Sequence, residues 1–146
     1  MNNKYMGIAL NEAYKAYLKD EVPVGAVIVK NDEIIAKCHN LKTKSSNILN
    51  HAEIVAITKA SKILNDWRLN DCEMYITLEP CPMCASAIQQ SRIKKIYIGT
   101  KSNASSNIEI MDKIFNNDEF CHKVDYEFLN DCRCSEILSN FFANKR

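Results

Sequence analysis

Apolar and polar positions along this chain repeat with two different periods. Over Lys4 to Lys19, Ile8, Ala9, Ala13, Ala16 and Tyr17 fall at helical spacing, which predicts an amphipathic opening helix, and Pro23 stops its continuation. Val22 to Val29 and Glu33 to Cys38 are instead rich in strand-forming residues and flank Lys30-Asn31-Asp32, the pattern of a hairpin. Lys42 to Ile48 is polar and reads as a loop. The helical period returns over His51 to Leu64, with Ile54, Ile57 and Leu64 on one side.

Strand and helix then alternate. The pattern predicts a strand at Cys72 to Leu78, a helix at Cys81 to Gln90 and a strand at Lys95 to Gly99, followed by a loop from Lys101 to Asn107. A short helix at Ile108 to Phe115, a strand at Lys123 to Phe128 and a closing helix at Asn130 to Phe142 complete the reading. The sum is a three-layer α/β fold with a mixed sheet. No internal repeat, low-complexity tract or linker divides it, so a single domain over residues 1–146 is expected.

Composition mainly excludes. With 47% apolar and 25% charged residues the chain has the balance of a globular protein, and no apolar run approaches the roughly 20 residues of a membrane span. Met1-Asn2-Asn3-Lys4 leads into no signal-peptide core, so a cytoplasmic protein with no membrane partner is expected. Seven cysteines, an odd number with two in a metal-type spacing, argue for a reducing compartment rather than a disulfide framework. A net charge of +1 means that any nucleic-acid surface must be local. Basic residues gather at Arg92, Lys94, Lys95 and Lys101, at Lys37, Lys42 and Lys44, and at Lys145 with Arg146; each group alone reads as a solvated face.

The chemistry lies in His51-Ala52-Glu53 and Pro80-Cys81-Pro82-Met83-Cys84. Each has an ordinary reading when taken alone. Asn50 and Glu53 match a helix capping box, His51 a satisfied polar residue, and the two cysteines packed thiols. In this order and at this separation they spell H-x-E followed by P-C-x-x-C, the recognised zinc deaminase signature. His51, Cys81 and Cys84 supply three ligands to one Zn²⁺ per subunit and leave a fourth position open, as catalytic zinc sites do. Cys81 and Cys84 are expected in the first turn of a helix, where free N–H groups favour thiolate, with Pro82 at a first helical position. Glu53 is the carboxylate that carries protons.

With these segments the chain resembles the bacterial tRNA-specific adenosine deaminases of the cytidine deaminase-like superfamily. The likeness runs through Val22-Pro23-Val24-Gly25-Ala26-Val27, His39-Asn40, Thr77-Leu78-Glu79-Pro80, Ser91-Arg92-Ile93 and Leu138-Ser139-Asn140-Phe141-Phe142. It implies an α/β/α sandwich around a mixed sheet of about five strands. It also implies conversion of the wobble adenosine of an arginine tRNA to inosine, an anticodon stem-loop as partner, and a homodimer. By the same resemblance Asn40 hydrogen-bonds the base, Val24 walls its pocket and Ala52 lends a backbone contact. Ser102 stands where the family shows an acidic residue facing the RNA, and no glycine follows Gly99, so the loop after it differs in shape. Cys38, Cys72, Cys121, Cys132 and Cys134 form no second ligand set and read as packed or surface thiols; Trp67-Arg68 and Phe141-Phe142 read as packing aromatics. Two rival functions stand beside this one: deamination of a free guanine or cytidine, and a catalytically idle zinc subunit that helps a partner bind RNA.

Overall fold

A computed structural model describes residues 2–102 and 108–145. The element order is α1 (Asn2–Leu18), β1 (Gly25–Lys30), β2 (Glu33–His39), α2 (Lys42–Ser45), α3 (Ala52–Leu64), β3 (Cys72–Leu78), α4 (Pro82–Gln90), β4 (Lys95–Thr100), α5 (Ile108–Phe115), β5 (Asp125–Phe128) and α6 (Cys132–Ala143). Five strands form one sheet in the order β2-β1-β3-β4-β5. β1 runs antiparallel to both β2 and β3, whereas β3, β4 and β5 are parallel. The hairpin turn is made by Asn31 and Asp32, both at positive φ, which these side chains tolerate.

Alternation along the strands divides the core into two layers. Ala26, Ile28, Met74, Ile76, Ile96 and Ile98 point to one face, where they pack with Ala52, Ala56 and Ala60 of α3, Ala85 and Ile88 of α4, and Met111 and Phe115 of α5. Val27, Val29, Tyr75 and Tyr97 point to the other, under Tyr5, Met6 and Ala9 of α1 and Cys134 of α6. Helices therefore cover both faces, as a sheet with parallel strands requires.

The structure corrects one sequence reading and adds detail to two others. The polar stretch after Lys42 contains a one-turn helix, α2, whose four exposed or half-exposed residues carry no apolar period. The most deeply buried face of α3 is the row Ala52, Ala56 and Ala60, with Ile57 and Leu64 partly buried against the same core, because small side chains let the helix lie close on the sheet. The N-cap of α3 is His51 rather than Asn50, with no side-chain cap, so Glu53 is released from the capping box and lies buried. The loop expected from Lys101 to Asn107 falls mostly on residues outside those described. Among the described residues, no helix is long and apolar enough to cross a membrane.

Candidate active site

Two helix starts meet at the carboxyl ends of the parallel strands, and they carry the donors. His51 is the N-cap of α3 and Cys81 the N-cap of α4, both extended in backbone, with Pro82 at the first helical position and Cys84 one half-turn further in. An N-cap side chain projects beyond its helix instead of lying along it, which brings the three together. His51 Nδ1 lies 3.7 Å from Cys81 Sγ and 3.5 Å from Cys84 Sγ, and all three donor atoms fall within 4.8 Å of one another.

Those separations test whether zinc fits. Bonds of about 2.0 Å to nitrogen and about 2.3 Å to sulfur at tetrahedral angles place N and S roughly 3.6 Å apart. The observed edges match, so the donor set has the type and spacing of a zinc site that takes three protein ligands. Among the described residues no other group of His, Cys, Asp and Glu meets the same spacing; Cys38, Cys72 and Cys134 are buried and Cys121 and Cys132 exposed.

Electrostatics within the cluster are tightly shared. A hydrogen bond from the Cys84 thiol draws Cys81 down to about 5; burial opposes this, while the Cys84 N–H and His51 assist it. The same bond, with burial and Glu53, pushes Cys84 up. Burial raises the Glu53 carboxyl to about 7, with Cys81 adding to the rise and hydrogen bonds from its own backbone and from Cys84 opposing it.

Glu53 faces a cavity of about 160 Å³ lined also by Val22, Val24, Asn40, Lys42, Ala52 and Glu79. That is below the roughly 300 Å³ floor of pockets for drug-sized ligands, and suits one planar ring. Val24, Asn40 and Ala52 are therefore brought together with the ligand cluster. Ser102 is not: it lines a neighbouring groove of about 900 Å³ with Thr100, Lys101, Leu138 and Phe142. Val22 and Leu78 line both spaces, so the groove opens beside the small cavity. Sequence reading does not single out Glu21 or Glu79 as site residues, and places Lys42 only in a solvated basic group, because a charged residue reads as solvated by default. Glu79 is buried, and its Oε1 accepts the Ser102 N–H, tying Ser102 to the cavity wall.

Several members of the basic groups have partners of their own. Lys95 pairs with Glu127, Lys145 with Asp20, and the Arg92 guanidinium stacks 5.7 Å from the Trp67 ring. Phe141 packs edge-on against Tyr17, while half-exposed Phe142 lines the groove.

Comparison with known proteins decides the family. The cytidine and deoxycytidylate deaminase zinc-binding region matches residues 1–100. The tRNA-specific adenosine deaminase of Bacillus subtilis is 39% identical over 143 residues, 97% of this chain and 89% of that one. The chain belongs to the tRNA-specific adenosine deaminase family. A solved structure from a study of A-to-I editing by tRNA:A34 deaminases superimposes with a TM-score of 0.86 at 36% identity, covering 93% of this chain and 99% of that one. The guanine deaminase of Bacillus subtilis shares the cytidine deaminase-like fold at a TM-score of 0.67 and 30% identity, covering 98% of this chain and 92% of its own. The deaminase family resemblance read from His51, Glu53, Cys81 and Cys84 is thus borne out.

Proposed function

We propose that this chain, as a single domain, catalyses zinc-dependent hydrolytic deamination of adenosine to inosine at the wobble position of a tRNA, an arginine tRNA by the family resemblance. The observation that carries the reading is a base-sized cavity lined by Glu53, His51 and Cys81, with Cys84 buried beside the other two donors, opening onto a much larger groove. A base still attached to its neighbours needs both spaces, whereas a free base needs only the first. A flipped loop nucleotide also costs little to extract, because it is already unpaired.

In this reading His51, Cys81 and Cys84 hold one zinc per subunit, and Glu53, in contact with Cys84, is the proton carrier. When bound, zinc supplies Lewis acidity that lowers the pKa of a water toward neutrality. Glu53 would take one proton from the attacking water and deliver it to a ring nitrogen as the C–O bond forms, then pass the remaining proton of the added oxygen to the amine as the C–N bond breaks, so that adenosine and water give inosine and ammonia. The Glu53 carboxyl, buried and raised, is suited to both accepting and donating. Asn40 grips the ring, Val24 and Ala52 wall it, and Ser102 lies where flanking nucleotides pass. A cytoplasmic homodimer completes the proposal.

The likeness to a guanine deaminase favours a second reading, free-base deamination. Purified zinc protein should convert the wobble adenosine of an arginine-tRNA anticodon stem-loop to inosine, monitored by mass spectrometry, beside free adenosine, guanine and cytidine. Turnover of a free base without the stem-loop would overturn the RNA reading. Activity of the protein purified alone excludes an idle subunit.

A further inference from the structure

Asn40 and Lys42, which line the small cavity, sit at the start of a helix that has no cap of its own. Leu41 precedes α2 and gives no side-chain hydrogen bond, so the first N–H groups of α2 need partners from elsewhere. The structure supplies three. The Lys42 N–H donates to Asn40 Oδ1 at 3.3 Å, the Thr43 N–H to Glu21 Oε1 at 3.0 Å, and the Lys44 N–H to Glu21 Oε2 at 2.6 Å. Glu21 is only 1% exposed although it carries a carboxylate, and it does not line the cavity.

We propose that Glu21 is a positioning residue for base recognition: its carboxylate clamps the start of α2 and thereby fixes the orientation of Asn40 and the place of Lys42 at the cavity. A backbone N–H can be met only by the carbonyl end of an amide. Once α2 is held, Asn40 must turn Oδ1 to Lys42 and its NH₂ the other way, a donor suited to an unprotonated ring nitrogen. α2 buries none of its four residues, so no packing of its own holds it against the cavity. The Asn40 N–H to Val24 carbonyl bond, at 3.1 Å, ties the same segment to the Val22–Val24 wall, which follows Glu21 directly in the chain. One short stretch, Glu21 to Val24, thus shapes the cavity from one side and orients its polar group from the other.

Gln at position 21 preserves volume but exchanges one acceptor oxygen for a donor, so one N–H of α2 meets an NH₂. The clamp rests on the RNA reading only in its kinetic test. On the stem-loop, Glu21→Gln raises KM about tenfold, the scale of one charge-assisted hydrogen bond, while kcat stays within about twofold. In an Asn40→Ala background the same substitution changes KM by less than about twofold, because its effect runs through Asn40. Equal effects in both backgrounds, or an unchanged KM in the single variant, would overturn the proposal. Amide exchange of the zinc protein tests it without activity: Thr43 and Lys44 amides are protected in the wild type despite lying in an exposed turn, and exchange at least about tenfold faster in Glu21→Gln. Unprotected wild-type amides would overturn it even if the variant did not fold. Absence of inosine from wild-type protein sinks the functional reading instead, and leaves the exchange comparison standing.

Discussion

At the residue scale, the environments of three buried glutamates differ more than their chemistry. Glu53 lies against Cys84 in the base-sized cavity, Glu21 accepts two backbone N–H groups, and Glu12 accepts from His39 Nδ1 at 3.1 Å and from Lys15 at 2.7 Å. If Glu53 moves the protons, Glu53→Gln keeps its shape and the metal but loses proton transfer, and kcat on the stem-loop should fall by roughly 10³ with zinc content by atomic absorption unchanged. A zinc-loaded Glu53→Gln protein with near-normal kcat would refute that role. Burial alone would raise the Glu12 carboxyl, but Lys15 and His39 outweigh it and hold the pKa below the ordinary 4.5. A depressed carboxylate stabilises the fold above its unfolded pKa, and that contribution is lost as pH falls from about 4.5 through the lower folded value. The urea midpoint of Glu12→Gln should therefore lie below the wild type at pH 7, and the gap should narrow below pH 4.5. A gap independent of pH would deny the ion pairing. The signature residues were legible because His, Glu and two Cys at fixed spacing rarely coincide; Glu21 and Glu79 were not, since only the fold reveals which backbone groups a carboxylate meets.

Elements were legible where apolar period and turn chemistry agreed. β3 and α5 have the bounds expected from Cys72 to Leu78 and Ile108 to Phe115, runs dense in apolar residues. α2 escaped because one turn has no period, and the alanine row of α3 because three alanines bury more completely than the larger isoleucines beside them. Glycines carry a similar hidden message. At Gly25 a Cβ would stand 1.9 Å from the Ala9 carbonyl oxygen and 2.7 Å from the Ala13 nitrogen, so α1 lies directly on the start of β1. At Gly7, within α1, a Cβ meets nothing within 4 Å. Gly25→Ala must push a helix backbone away and should destabilise by about 3 kcal/mol in urea unfolding, whereas Gly7→Ala should stabilise by roughly 0.5 to 1 kcal/mol through helix propensity. Equal effects of the two substitutions would show that α1 does not seat on β1 as described.

On the scale of the whole molecule, the site joins parts distant in sequence. His51 comes from the start of α3 and both cysteines from the start of α4, so a cation held by all three fastens two helices that pack on the same face of the sheet. Binding to the folded chain must then appear as stability. At free zinc about 100-fold above its dissociation constant the gain is about 2.7 kcal/mol, which for a chain of this size corresponds to roughly 5 to 10 °C in Tm. Chelation should lower the melting temperature of the wild type by that order, and readdition of zinc should restore it. Glu53→Gln, which leaves all three donors in place, should show the same shift. Cys84→Ala should melt at one temperature with or without zinc, because two donors hold the ion far less tightly than three. A zinc-dependent shift surviving in Cys84→Ala would place the metal on other residues, and the assignment of proton transfer to Glu53 would fall with it, since that role depends on the carboxylate lying beside the ion.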